Sequence, residues 1–345
     1  MPPPSHEMTG AAPAVGDWRR ALAAALRTPE ALRAAAGLGA PAEAERAAAA
    51  DFPVRVTATV LERIRRGDPA DPVLAQFLPA AAELAPVPGF VDDPVGDLAA
   101  RRGPGLLQKY RGRLLVMPTT ACAVHCRYCF RRHYPHRDGA RPEAVAARLR
   151  ADPGLHEVIL SGGDPLVLPD PPLRRLLAAV DGVATVRRIR IHTRVPVVLP
   201  ARIGAPLVAM LSALRARCVV VLHVNHAAEL GPDAAAALAA LRGGGVVLLN
   251  QAVLLRGVND SVPALAALSE ALLDHGVLPY YLHQLDPVRG AAHFGVPDAE
   301  ALALHRALRA RLPGYLVPRL VREVPGDAAK RELAAAVEAA DASRL

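Results

Sequence analysis

The sequence predicts an α/β fold built on a parallel, barrel-like sheet. A repeated unit supports this prediction: an apolar run rich in β-branched residues, a polar break, and then an amphipathic helical segment. Six such units follow one another at intervals of about thirty residues, as in a parallel sheet whose strands are joined by crossover helices. Polar residues suited to chemistry also follow several predicted strands, where such barrels place their active sites.

The predicted elements divide the chain into three parts. Residues 1–100 are alanine-rich with helical periodicity and proline-containing breaks, which predicts an N-terminal helical region. Residues 101–315 form the predicted barrel-like core, and residues 316–345 form a short C-terminal extension. The predicted strands span residues 113–117, 157–160, 187–192, 219–226, 246–254 and 278–284. The predicted helices span residues 142–149, 172–180, 205–215, 233–241, 262–273 and 298–312.

Composition limits the classes of protein to consider. The 345 residues suffice for one large α/β domain and a smaller appendage. The sequence has neither a signal-peptide pattern nor eighteen consecutive apolar residues, so we expect a cytoplasmic protein without membrane association. A net charge of +8 would suit nucleic acid, but no basic run is interleaved with aromatic residues, and solvated arginines explain the charge at least as well. We therefore expect no direct nucleic-acid binding.

Three of the four cysteines lie within eight residues, as Cys122-Ala-Val-His-Cys126-Arg-Tyr-Cys129, directly after the first predicted core strand. Three thiolates at this spacing can hold three irons of a four-iron cluster and leave the fourth iron without a protein ligand. A closed zinc site would need a fourth ligand, and His125 is awkwardly placed beside Cys126. Zinc, or three unrelated thiols, remains the alternative. Cys218 opens an apolar run and is expected to be a core thiol.

This motif, with Tyr128 at its aromatic position, resembles that of the radical SAM (S-adenosylmethionine) enzymes. Three wider stretches resemble the lysine 2,3-aminomutase family, in particular the branch that makes β-lysine for modification of elongation factor P: the cysteine motif with the following Phe-Arg-Arg-His, Ser161-Gly-Gly-Asp-Pro165, and the eleven residues from Asn250 to Asp260. The resemblance covers roughly residues 100–330.

The resemblance has several implications for fold and activity. It implies a partial (β/α)6 barrel, TIM-like and of the radical SAM type. It implies conversion of L-lysine to (R)-β-lysine by 2,3-amino migration, with a [4Fe–4S] cluster, SAM and pyridoxal 5′-phosphate (PLP) as cofactors. It also implies an external electron donor such as flavodoxin or ferredoxin, and a functional link to a ligase that attaches β-lysine to elongation factor P.

The turn at Gly162, Gly163 and Asp164 follows the second predicted core strand. Glycines let a backbone approach a ligand closely, and the resemblance implies that this turn holds the amino group of SAM. By itself a Gly-Gly turn is usually a tight connection. Further candidates for a SAM or PLP pocket stand at later strand ends, where each could also be an ordinary polar group: His192, Arg194, Asn225, His226 and Gln251.

Substrate binding is predicted for four residues. Arg131, two residues beyond Cys129, matches the family arginine that clamps the substrate carboxylate. Arg113 also matches an active-site arginine, without an assigned role. Asp286 and Glu323 match the two carboxylates that receive the substrate ε-ammonium, although Glu323 could equally form a surface salt bridge.

Lys330 is predicted to bind PLP. Among 41 basic residues only Lys109 and Lys330 are lysines, and a Schiff base needs a primary amine, which arginine cannot supply. Lys330 matches the PLP lysine of the family, and Lys109 is its rival.

Three departures from free-standing lysine 2,3-aminomutases favour the elongation factor P branch. Glu323 replaces an aspartate, residues 325–329 replace a glycine run, and the chain ends without a zinc-binding extension. An aminomutase of another amino acid such as glutamate, and a zinc-knuckle RNA-binding protein, are the alternatives.

Overall fold

A computed structural model describes residues 17–135 and 139–333. Its centre is a ten-stranded sheet in which the strands follow chain order from edge to edge. The strands are β1 (Arg101–Gly103), β2 (Leu106–Leu107), β3 (Arg113–Val116), β4 (Glu157–Leu160), β5 (Arg188–Thr193), β6 (Arg217–Leu222), β7 (Val247–Val253), β8 (Leu278–His283), β9 (Arg319–Arg322) and β10 (Arg331–Glu332).

Strands β3 to β9 are parallel, and short antiparallel strands border them at both edges. All six predicted strands are present; that at residues 157–160 has its predicted bounds and the other five have shifted boundaries. The seventh parallel strand, β9, was not predicted, because its four residues have arginine at both ends and only two buried side chains. Strands β1 and β10 are the two edges of the sheet and are not neighbours in it, so the sheet is an open, partial barrel.

The prediction for the fourth strand was wrong at its C-terminal end. Residues 223–226 leave the ladder, and β6 stops at Leu222. The side-chain amide of Asn250 takes over the pairing: its Oδ1 accepts from the Val224 N–H at 3.0 Å and its Nδ2 donates to the Val224 carbonyl at 3.0 Å. Because the Asn250 side chain takes the place of a backbone partner for Val224, Asn225 and His226 lie outside the sheet, in the loop that follows β6.

Helices cover the outer face of the sheet and connect its parallel strands. They are α5 (Pro142–Ala151), α6 (Asp170–Asp181), α7 (Val195–Val198), α8 (Ala205–Ser212), α9 (Pro232–Gly243), α10 (Val262–Asp274) and α11 (Asp298–Arg311). All six predicted helices are present, and proline stands in the first turn of five of them, where its missing N–H costs nothing. The short α7 was not predicted, since four residues carry no helical period.

Four helices precede the sheet: α1 (Asp17–Ala23), α2 (Pro29–Ala35), α3 (Glu43–Asp51) and α4 (Ala58–Leu61). One continuous apolar core runs from Trp18 in α1 through the barrel to Leu333. The helical region therefore packs on the barrel instead of standing apart from it. The domain boundaries at residues 100 and 315 remain a prediction. Among the described helices, none has the length and apolar character needed to cross a membrane.

Candidate active site

Most of the predicted site residues lie at the carboxyl ends of the parallel strands or in the loops that follow them. Arg113 is an exception, because it is the first residue of β3. The cysteine loop follows β3, the Gly-Gly turn follows β4, Arg194 follows β5, and Asp286 follows β8. The seventh strand, β9, leads to Glu323. Because parallel strands end at one edge of the sheet, these side chains are drawn toward a common centre.

The three cysteines of the loop influence one another. Burial raises the pKa of the Cys122 thiol, with a further contribution from Cys129, and burial raises the pKa of Cys129 to about 11. Arg194 Nη1 donates to Cys126 Sγ at 2.8 Å. Clustered thiols with raised pKa values need cationic partners to ionise, which fits an iron–sulfur cluster. Cys218 lies apart in the core, where burial raises its pKa to about 12.

Within residues 17–135 and 139–333, no group of three or more His, Cys, Asp or Glu side chains converges on one metal ion.

The cysteine loop is held by the N-terminal helical region. Arg127 is fully buried and binds Glu83 in a bidentate ion pair, at 2.8 Å from Nε and 2.5 Å from Nη2. The same guanidinium donates to the carbonyls of Phe52 and Ala48, at the end of α3. His125 stacks on the Phe52 ring. Two side chains of the loop thus reach back some forty to eighty residues for their partners.

The Gly-Gly turn packs directly against the cysteine loop. Gly162 has φ +104°, and a Cβ at Gly163 would lie 2.4 Å from the Ala121 carbonyl oxygen, so both positions exclude larger residues. The Asp164 N–H donates to that carbonyl at 2.8 Å. The carboxylate of Asp164 is occupied inside the fold, because it accepts from the Thr193 hydroxyl at 2.7 Å and from three backbone N–H groups.

A buried polar network surrounds Arg194. Its Nη2 donates to Gln76 Oε1 at 2.6 Å and to Glu229 Oε2 at 2.5 Å, and its Nη1 donates to the Tyr128 hydroxyl at 2.8 Å. Asn225 Nδ2 donates to the same hydroxyl at 2.7 Å and to Gln76 Oε1 at 3.0 Å. The aromatic residue of the cysteine motif is therefore fixed by residues from three other parts of the chain.

The structure separates two residues that were predicted for one cofactor pocket. Gln251 lies in the barrel interior, with its Nε2 2.9 Å from His223 Nε2 and 3.5 Å from His192 Nδ1. His226 instead caps the next turn, where its Nδ1 accepts from the Ala228 N–H at 3.2 Å.

The barrel interior contains neutral histidines and unpaired polar atoms. Burial lowers the pKa values of His192 and His283, and it lowers the pKa of His223 to about 3. His192 Nε2, His283 Nε2 and Asp286 Oδ1 are buried without a hydrogen-bond partner among the described residues. Buried polar atoms are rarely left unpaired, so the interior fits a polar ligand.

Both lysines of the chain converge on Glu323. Lys330 Nζ donates to Glu323 Oε2 at 2.5 Å, and the Tyr110 hydroxyl donates to Oε1 at 2.7 Å. Lys109 Nζ lies 3.5 Å from Oε1 and forms a shorter ion pair, at 2.7 Å, with Asp97 Oδ1. Although burial alone would raise the pKa of Glu323, Lys330 holds it below its usual value.

Arg131 joins the same charged cluster from the cysteine side. Its Nε pairs with Asp97 Oδ2 at 2.7 Å, and its Nη1 donates to the Ser161 hydroxyl at 3.2 Å. Arg113 lies with its guanidinium 5.1 Å from the centre of the Tyr110 ring. Arg131, which was predicted to bind the substrate carboxylate, therefore lies between Ser161 at the Gly-Gly turn and the charged cluster around Asp97.

Within the described part of the chain, Asp286 forms no ion pair with a cation, unlike Asp97 and Glu323. Burial raises its pKa to about 7, partly offset by the positive charge of Lys330. Its Oδ1 has no partner among the described residues. A cation placed between Asp286 and Glu323 would stabilise both anions.

Several residues of the site were not predicted from the sequence. His223 and His283 could have been found from their positions at the ends of β6 and β8, and Tyr110 from its position beside Lys109. Gln76 and Glu229 lie in short 3-10 helices and Asp97 lies in a turn, and no sequence motif marks any of the three.

The fold and the cysteine site define a class of protein that comparison with known families confirms. The profile of the radical SAM superfamily matches residues 116–245, which include the cysteine loop and the Gly-Gly turn. The chain therefore contains a radical SAM domain.

Relatives identify the family. The L-lysine 2,3-aminomutase of Escherichia coli (strain K12) is 42% identical over 335 residues, which cover 95% of this chain and 98% of that protein. That of Haemophilus influenzae is 40% identical over 280 residues, or 80% of this chain and 83% of that protein. The L-lysine 2,3-aminomutase of Clostridium subterminale is 34% identical over 280 residues, which cover 80% of this chain and 67% of that protein. The chain belongs to the L-lysine 2,3-aminomutase family.

Membership confirms the resemblance seen in the sequence. The chain is an isomerase of this family and not the RNA-binding zinc protein considered as an alternative. Membership also implies the predicted cofactors, namely a [4Fe–4S] cluster, SAM and PLP.

Proposed function

We propose that this chain converts L-lysine to (R)-β-lysine by moving the 2-amino group to C3, in a reaction that depends on PLP bound at Lys330. One observation supports this most: a carboxylate pair, Glu323 and Asp286, shares a charged cluster with the guanidinium of Arg131. Such a site suits a molecule with an ammonium at one end and a carboxylate at the other. A glutamate substrate would instead bring its side-chain carboxylate against these two anions.

The cysteine loop holds the cluster in this proposal, through Cys122, Cys126 and Cys129. When bound, the cluster and SAM supply the one-electron chemistry, and PLP supplies conjugation to the migrating nitrogen. The Gly-Gly turn brings main-chain groups within reach of a ligand on the open iron. Arg194 adds a hydrogen bond to Cys126 Sγ and ties the loop to the buried network.

The charged cluster orients the substrate. Arg131 holds the α-carboxylate, a task for which its planar, always charged guanidinium is suited. Asp286 and Glu323 hold the ε-ammonium. The neutral histidines of the interior present hydrogen-bonding nitrogens without adding a positive charge that would repel the substrate.

The contact between Lys330 and Glu323 gives an order to these events. In the structure the Lys330 ammonium occupies the carboxylate that the substrate ammonium needs. A Lys330 nitrogen committed to PLP would not offer Glu323 a free ammonium, so the ε-ammonium of an incoming lysine could bind there.

Reduction with borohydride tests the assignment of Lys330. In PLP-loaded protein the cofactor should become fixed to the peptide that contains Lys330, as read by mass spectrometry. Lys330→Arg keeps the positive charge but not the reactive amine, so it should lose both the label and nearly all β-lysine formation, while keeping its iron. Lys109→Arg is the matched control and should keep the label. Label on Lys109, or a fully active Lys330→Arg enzyme, would refute the assignment.

We also propose that the product serves a ligase that modifies elongation factor P in the cytoplasm. Glu323, in the place where free-standing lysine 2,3-aminomutases carry aspartate, supports this assignment. Chiral chromatography should find (R)-β-lysine from purified enzyme. Deletion of the gene should remove the corresponding mass from elongation factor P in cells, and added (R)-β-lysine should restore it. Unchanged modification in the deletion strain would contradict this role.

A further inference from the structure

Two arginines face each other beside the cysteine loop. Leu26 and Val56 form an antiparallel bridge through backbone hydrogen bonds of 2.8 and 3.0 Å. This register places Arg27 directly opposite Arg55. Like charges at opposed positions of an antiparallel pair are destabilising, so a compensating partner is to be expected.

Within the described residues, neither arginine has such a partner. No ion pair or hydrogen bond joins their side chains to another residue, and Arg55 Nε is buried without an acceptor. Three other arginines of the helical region, Arg33, Arg46 and Arg63, each bind a carboxylate. Burial, followed by the charge of Arg27, lowers the pKa of Arg55, whereas an anion at this place would relieve both costs.

The pair lies against the predicted cluster ligands. The His125 N–H donates to the Arg55 carbonyl at 2.9 Å, and His125 Nδ1 lies 2.8 Å from the Pro53 carbonyl oxygen. The Arg55 side chain is also within electrostatic range of Cys122. A partner seated on Arg27 and Arg55 would therefore be next to the loop that holds the cluster.

We propose that Arg27 and Arg55 form the docking surface for an acidic one-electron carrier protein, with reduced flavodoxin as the carrier to be tested. This inference rests on the proposed function, in which the cluster must be reduced before it can act. The carrier gives up one electron and is oxidised, the cluster gains that electron, and no bond is made or broken between them.

The exposure of the pair favours a protein over a small anion. Arg27 is exposed and Arg55 is partly buried, so the positive charge extends from the loop to the outer surface. The chain as a whole carries a net charge of +8, which attracts an acidic protein over a distance. Small, charge-steered contacts of this kind are typical of electron-transfer partners, which must also separate quickly.

Stopped-flow reduction of the reconstituted cluster tests the surface without any lysine turnover. Arg27→Glu should lower the second-order rate constant with reduced flavodoxin about fivefold or more at low ionic strength, and the double variant with Arg55→Glu should lower it further. The deficit should shrink in high salt, because salt screens exposed charges. Photoreduced deazariboflavin, a small-molecule reductant, should reduce all variants equally fast.

Arg311→Glu is the matched control, since it makes the same change of net charge at an exposed site on α11. A similar deficit in Arg311→Glu would show that net charge alone is responsible, and would overturn the proposal. Unchanged flavodoxin rates in Arg27→Glu would overturn it as well. Weaker SAM binding in calorimetry, with the flavodoxin rate intact, would assign the pair to a small anion instead. Failure of wild-type enzyme to isomerise lysine would refute the proposed function, without affecting these reduction rates.

Discussion

Asp286 illustrates how much a single residue can determine in this site. Its carboxylate has a buried oxygen with no partner among the residues that the structure describes, and burial raises its pKa to about 7. Burial therefore raises the share of the neutral acid near neutral pH when no substrate is present, while the substrate ammonium would favour the anion. Sequence alone indicated a carboxylate at this position, but its protonation depends on which groups the barrel places around it.

Replacement of Asp286 by asparagine should change the pH dependence of both stability and binding. The raised pKa makes wild-type protein lose stability as pH rises from 3.8, the usual pKa of an aspartate, through about 7, so the cofactor-free variant should gain relative stability over that window in thermal melts. Lysine use should fall more than about tenfold, which corresponds to a loss of about 1.5 to 3 kcal/mol of charge-assisted bonding.

The pH profile distinguishes this role from a structural one. Wild-type affinity for lysine, measured by calorimetry on PLP-loaded protein, should increase as pH rises through about 7, whereas that of Asp286→Asn should stay flat. Iron and PLP contents should be unchanged. Normal turnover of lysine by the variant would mean that the ε-ammonium is held elsewhere.

The cysteines provide a second prediction at the residue scale. Cys122→Ala, Cys126→Ala and Cys129→Ala should each abolish the iron–sulfur absorbance of anaerobically reconstituted protein, because each removes a thiolate ligand. Cys218→Ala should keep it, since that thiol is packed in the core. Loss of the cluster in Cys218→Ala alone would overturn the assignment.

At the scale of elements, periodicity predicted those parts of the fold that repeat. Strands β5 to β8 and helices such as α6 and α10 have enough residues to show a pattern. Strands β3 and β4 have only four residues, but three of the four are apolar in each. Strand β9 is equally short and has arginine at both ends, and α7 is a single helical turn, so neither shows a pattern of its own. For the same reason the supports of the cysteine loop could not be predicted: the partners of Arg127 come from distant helices without a shared motif.

Glu83→Ala should destabilise the protein strongly. It leaves Arg127 and Arg132, both with fully buried side chains, without their shared carboxylate. Breaking a buried ion pair typically costs about 3 to 5 kcal/mol, which chemical denaturation would measure. Asp327→Ala is the control, because its pair with Arg331 is largely exposed and should contribute little. Equal effects of the two variants would show that Glu83 does not support the loop.

At the scale of the whole molecule, the helical region and the barrel form one body around one core. Trp18 in α1 is 6% exposed, and the Arg202 guanidinium from the barrel side lies 4.8 Å from the centre of its ring. The Thr57 hydroxyl, just before α4, donates to the Val198 carbonyl at the end of α7 at 2.5 Å. Composition predicted the helical character of residues 1–100, but it gave no indication of what they pack against.

This packing predicts a single unfolding transition. Trp18 is the chain's one tryptophan, so its fluorescence reports on the helical region, while circular dichroism reports on all helices and strands. Because both regions share one core, the two signals should change at the same denaturant concentration. A fluorescence transition that precedes the other would show that residues 1–100 unfold as a separate domain.

The ion pair between Arg127 and Glu83 limits how readily this active site could be transferred to another protein. The superfamily profile begins at residue 116 and ends at residue 245, yet Glu83 lies before that segment, and Glu323 and Lys330 lie after it. A graft of the matched segment onto another scaffold would transfer the cysteines without the carboxylate that anchors their loop. The segment that the superfamily profile matches is thus smaller than the part of the chain that supplies the complete site.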